Sequence, residues 1–135
     1  VHLGGVLVED AKNSHPVADG ALLVVPAKSY FVFALKADST INGGVQPGYV
    51  YKSVSLNNTV GDQLRLKIGD TVIDEIAYVI GGGGWPTVEP GKAVQLDLNK
   101  FDTTSNDAGA AWCLAKTAYG GGDLGTPGAA NASCP

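Results

Sequence analysis

The sequence predicts an all-β domain, a sandwich of about eight short antiparallel strands, and three observations carry that reading. Apolar and polar residues alternate with a period of two in several stretches, while no window of fifteen residues shows an apolar helical face. Glycine at 19 and proline at 7 are abundant, as suits short strands joined by turns. Turn signals recur every eight to fifteen residues or so.

The elements follow in order. Val1-His2-Leu3-Gly4-Gly5-Val6-Leu7-Val8 reads as the interior of a structured element. The chain has no methionine and no signal-peptide pattern, so its start reads as a product of processing or cutting. Residues 21–25 and 30–35 are near-continuous apolar runs split by Pro26-Ala27-Lys28-Ser29, the pattern of strands covered on both faces. Residues 49–54 form the next strand. The cleanest alternation is 63–68, which turns Leu64, Leu66 and Ile68 to a core and Gln63, Arg65 and Lys67 to water. Gly69-Asp70 then makes a tight hairpin to a strand at 71–79. Gly81 to Gly84 form a loop ended by Trp85-Pro86, and strands at 93–98 and 111–115 complete the set. Val32, Ile76 and Leu96 join the expected inner faces. Residues 118–135, rich in Gly, Ala, Pro and Asn, are expected to be an irregular tail on a single domain spanning 1–135.

Composition narrows the function. With 44% hydrophobic and 16% charged residues, the chain is not disordered. The net charge of -4, with nine Lys plus Arg spread along the chain, gives no cationic patch to neutralise phosphates. Nucleic acid is not an expected partner. No apolar run reaches the roughly 18 residues of a membrane span.

Cys113 lies in an expected strand and Cys134 is the penultimate residue. They form a disulfide, half a metal site or two unrelated core positions. Zinc needs four ligands, and only His2 and His15, at the far end of the chain, add to them. No C-x-x-C is present. A bridge closing about 22 residues would fasten the tail and contribute roughly 3 kcal/mol. The pair is read as a disulfide, hence as a sign of an oxidising, secreted or cell-surface setting.

Candidate chemistry is sparse. Asp97, Asp102, Asn106 and Asp107 form the densest group of oxygen ligands, a weak calcium candidate that lacks the EF-hand order. Side-chain-to-backbone turns account better for it. Adjacent Asp74 and Glu75 point to opposite faces of a strand and cannot work as an acid–base pair, so Asp74 is expected to bond a neighbouring loop. His2 and His15 have no nucleophile in a catalytic context, and the glycine run is no phosphate cradle. Trp85 and Trp112 are the candidate ligand contacts, as a stacking platform, against the plainer role of anchoring loops. No catalytic constellation, metal or cofactor is expected.

The order of motifs resembles the lamin tail domain in its bacterial secreted and cell-surface form. Residues 2–10 (His-Leu-Gly-Gly-Val-Leu-Val-Glu-Asp) are similar to the family's D-L-S-G-W-x-L-x-D strand, with Val6 at the tryptophan. Residues 25–34 resemble L-x-P-G-x-Y-L-V-L-A. Leu56-Asn57-Asn58 and residues 61–66 resemble L-x-N-x-G-D-x-L-x-L, and residues 72–78 resemble V-V-D-x-V-x-Y. Trp85-Pro86, Gly91 and Val94-Gln95-Leu96-Asp97 follow the family's W-P…G-x-S-L-x-L, and Trp112 its N-W pair. Gly125-Thr126-Pro127-Gly128-Ala129-Ala130-Asn131 is similar to the closing G-T-P-G-x-x-N. The resemblance implies an immunoglobulin-like β-sandwich, a non-enzymatic structural or adhesion role, and two further strands at the N-terminus that this sequence does not contain. The expected consequence is a gap filled by a strand from a protein partner or a neighbouring copy, the latter able to build a homopolymer. The alternative is an accessory substrate-binding domain clipped from a larger secreted hydrolase or nuclease, with Trp85 and Trp112 as its contacts.

Overall fold

The alternation at 63–68 organises the backbone. In the computed structural model, which describes residues 1–18 and 23–135, strand β5 (Gly61–Ile68) turns through Gly69-Asp70 into β6 (Thr71–Val79), its antiparallel partner. Gly69 takes a φ of 56°, the left-handed conformation a two-residue hairpin needs. A bulge opposite Leu66 and Lys67 leaves Ile73 unopposed. Strand β1 (Val6–Glu9) pairs with the other edge of β5, and β2 (Ser14–Pro16) with β1, so the sheet runs β2-β1-β5-β6.

Register sets the faces. Val8 lies beside Leu66, and Leu64 beside Ile76, on one side. Glu9, Arg65 and Glu75 form a row on the other, where Arg65 bridges both carboxylates at 3.4 and 2.5 Å. The core is formed by Val6, Val8, Val17 and Val54, with Leu64, Leu66, Phe33, Tyr49 and Tyr51 packed around it. The last three come from β3 (Phe33–Ala34) and β4 (Tyr49–Val50) and the residue after it. Further along the chain, β7 (Val94–Leu96) pairs with β8 (Trp112–Leu114), and β9 (Ala118–Tyr119) with β10 (Asp123–Leu124). Two 3-10 turns, Ser105–Asp107 and Gly109–Ala111, precede β8.

The molecule is all-β, as the alternation predicts, with ten short strands among the described residues. Five details differ from the sequence reading. The β3–β4 pair is parallel, because residues 33–34 and 49–50 meet through the long connection between them rather than a hairpin. The runs at 30–35 and 49–54 each shrink to two ladder residues, their burial coming from ring packing such as Phe33 on Tyr49 at 5.8 Å. Of the strand expected at 21–25, Ala21 and Leu22 lie outside the described residues, while the Leu23 carbonyl and the Val25 N–H bond Leu3 and Val1. The region 118–135 is not wholly irregular, since it begins with the β9–β10 pair. Ile68 is 51% exposed, because it ends β5 at the hairpin tip, away from the core cluster.

The packing is thin for the chain's size. Val32, Leu64, Leu66, Ile76 and Leu96 are only half-buried. The accessible area is 8044 Å², against about 6,600 Å² for an average folded monomer of 13.8 kDa. The surplus of roughly 1,400 Å² exceeds the ~800 Å² that one partner contributes to a standard interface.

Candidate functional site

Cys113 and Cys134 are bonded, with Cα atoms 5.7 Å apart. The bridge is one of several ties that lay the end of the chain over β7. Gln95 Nε2 donates to the Ala132 carbonyl, Asn131 Nδ2 to the Leu96 carbonyl, and the Cys134 N–H to Asp97 Oδ2. The burial order along β7 follows from this cover: Gln95 is buried while Val94 and Leu96 are half-exposed.

The four oxygen-rich residues do not converge. Asp97 holds the Cys134 and Asn99 N–H groups. Asp102 accepts from the Thr104 and Ser105 N–H groups across an Asx turn. Asn106 is buried, donates to Asp74 Oδ2 at 2.8 Å, and its carbonyl accepts from Trp112 Nε1 at 2.7 Å. Asp107 is exposed at the side of β6. No group of three or more metal-ligating acids, histidines or cysteines occurs among the described residues. Asp74 makes the loop bond expected of it.

Hydrogen bonding accounts for the electrostatics. Burial alone would raise the Asp10 carboxyl, but the N–H groups of Ser55, Lys12 and Asn13 and the Asn13 amide outweigh it and hold it far below the usual range. Asp62 is lowered by the Gln63 N–H first, with burial opposing, and then by those of Ala11 and Asn57. Asp97 is lowered by Asn99 and Cys134, and Asp102 by Ser105. Each of these carboxylates fastens a loop. Gly61, φ 123°, completes the Asp62 corner, where an added Cβ would sit 2.1 Å from the Tyr78 carbonyl.

Trp85 and Trp112 stack on one another, centroids 5.5 Å apart and planes at 29°, with Tyr78 tilted against Trp85 at 6.0 Å. Gly109 permits the approach, since a Cβ there would lie 2.6 Å from Trp85. The Tyr78 hydroxyl donates to the Asn57 carbonyl, and burial, with the charges of Asp62 and Asp10, pushes its pKa up to about 12. The rings line a cleft of about 520 Å³ together with Leu64 and Ile76 from the sheet and Val94 from β7. They face each other rather than presenting coplanar faces to solvent.

The feature the sequence reading missed is the outer edge of β6. The Ile80 N–H bonds the Val60 carbonyl, so in this register residues 76 and 78 exchange hydrogen bonds with β5 while residues 75, 77 and 79 turn theirs outward. Asp74 Oδ1 caps the Glu75 N–H at 3.0 Å. Among the described residues, the N–H groups of Ala77 and Val79 have no protein partner. Val72, Ile73 and Val79 are each about half exposed along this edge. Beside it, β6 and the loop residues Thr103 and Asp107 bound a groove of about 460 Å³. A signal was present in the length of the strand at 71–79, but which strands end a sheet is a matter of topology. No helix among the described residues is long and apolar enough to cross a membrane. No family model, curated protein or solved structure matches the chain.

Proposed function

We propose that this chain is a non-catalytic extracellular interaction module, a lamin-tail-like β-sandwich of immunoglobulin type whose sheet is completed by an extended strand from another chain. The observation that carries this reading is the open edge of β6, whose outward backbone groups are flanked by half-exposed aliphatic side chains. The surplus accessible area supports it, since an added strand and its flanking contacts would cover part of it. The disulfide supports a secreted or cell-surface setting. If the strand comes from a neighbouring copy, the contact is head-to-tail and builds a ring or filament. The mutual stacking of Trp85 and Trp112 favours a packing role over a platform for polymeric substrate. Intact-mass and sedimentation analysis of material from its native source tests the proposal. The expected result is a second polypeptide, or further copies, travelling with the polypeptide that carries this sequence. That polypeptide sedimenting alone as a folded monomer would overturn it.

A further inference from the structure

We infer that the acceptor is the outer edge of β6, and that its occupant is an extended segment of another polypeptide in which lysine or arginine alternates with aliphatic residues. The inference rests on the strand-acceptor reading above, of which it specifies the edge and adds the chemistry of the occupant. The place follows from register. Ala77 and Val79 direct unpaired N–H and C=O groups to one side over a nine-residue strand. That spacing offers an added strand a short ladder at Ala77 and Val79, on the side opposite β5. The β2 edge is a poorer acceptor, since it has three residues and ends in Pro16, which has no N–H.

The chemistry follows from what lines the groove. Asp74 and Asp107 line its side towards the loop and Glu75 the opposite face of β6, with Val72, Ile73 and Ala77 between them and no basic residue in the lining. Arg65 reaches Glu75 from the neighbouring strand, whereas Asp74 is bonded to the neutral Asn106 amide, and among the described residues neither it nor Asp107 has a cationic partner. A strand laid here must bring positive charge to the carboxylates and aliphatic groups to the valines and isoleucine. A second copy paired β6 to β6 would instead set these acids against one another within a chain of net charge -4.

The test uses two capped heptapeptides, one alternating valine with lysine and one alternating valine with glutamate, titrated into the full chain and followed by backbone amide shifts and exchange. The lysine peptide should slow exchange at Ala77 and Val79, and the glutamate peptide should bind at least about tenfold more weakly. Ala77→Pro deletes an N–H that β5 does not use, so it should leave the hairpin folded and weaken the lysine peptide about tenfold or more. If that variant fails to fold, Asp107→Lys on the exposed loop serves instead and should narrow the preference for the lysine peptide about tenfold. Binding that maps to the Trp85–Trp112 cleft or to β2 would overturn this inference while leaving the strand-acceptor reading intact. Self-association through β6 without peptide would overturn the basic-partner assignment alone. If neither peptide alters Ala77 or Val79 at millimolar concentration, the inference falls. The reading above falls with it only if the native material is also a lone chain.

Discussion

Asp10 shows how a single side chain fixes a corner of this molecule. It is 7% exposed and accepts from the N–H groups of Lys12, Asn13 and Ser55, joining the turn after β1 to a segment 45 residues away. Replacing it with alanine strands the Ser55 donor and should cost roughly 2–4 kcal/mol in urea unfolding at pH 7. Its pH dependence has a definite sign. The folded pKa lies below the ordinary 3.8, so the carboxylate stabilises the fold above that value, and the contribution disappears as the pH falls from there toward the folded pKa. Stability should therefore drop steeply below about pH 4, with a shallower drop in Asp10→Asn. Equal slopes for the two proteins would show that Asp10 is not responsible. Little of this was legible in the sequence. Asp10 and Asp62 were matched to motif positions, but the loops they fasten come from distant segments that no local pattern brings together.

At the scale of elements, the hairpin was legible and its neighbours were less so. Leu64, Leu66, Arg65 and Lys67 declare their faces by alternation, and the pairing of β5 with β6 follows. The strands at 30–35 and 49–54 were overestimated because an apolar run does not distinguish ladder pairing from ring packing. Gln95 is buried in β7 because the tail covers it, a long-range fact that alternation cannot encode. Two expected outcomes belong here. Leu66→Ala should cost roughly 2–3 kcal/mol, the low end for a half-buried leucine, while Lys67→Ala should change stability by less than about 0.5 kcal/mol. Chemical denaturation of both variants checks the register, and equal losses would mean that it is wrong. Replacing Cys113 and Cys134 together by serine should cost roughly 3 kcal/mol. Faster proteolysis in the tail beyond β8 should accompany that loss, whereas an unchanged melting temperature would show that the tail is held without the bridge.

For the whole molecule, the all-β class was readable from composition and periodicity, and the disulfide from the scarcity of other partners for two cysteines. The unpaired edge was not. The family resemblance implies that the incomplete part of the sheet lies at the N-terminus. The structure shows an open edge on β6, the strand that the hairpin carries to the end of the sheet. An exposed, aliphatic edge of this length invites uncontrolled pairing in a free monomer, which is the physical reason to expect a committed partner. Amide hydrogen exchange on the natively isolated material tests that expectation most directly. Ile76 and Tyr78 direct their N–H groups to β5 and should be protected in any folded form. Ala77 and Val79 should be protected as well in the native material and exchange freely in the isolated chain. Free exchange of Ala77 and Val79 in the native material, beside protected Ile76 and Tyr78, would contradict it.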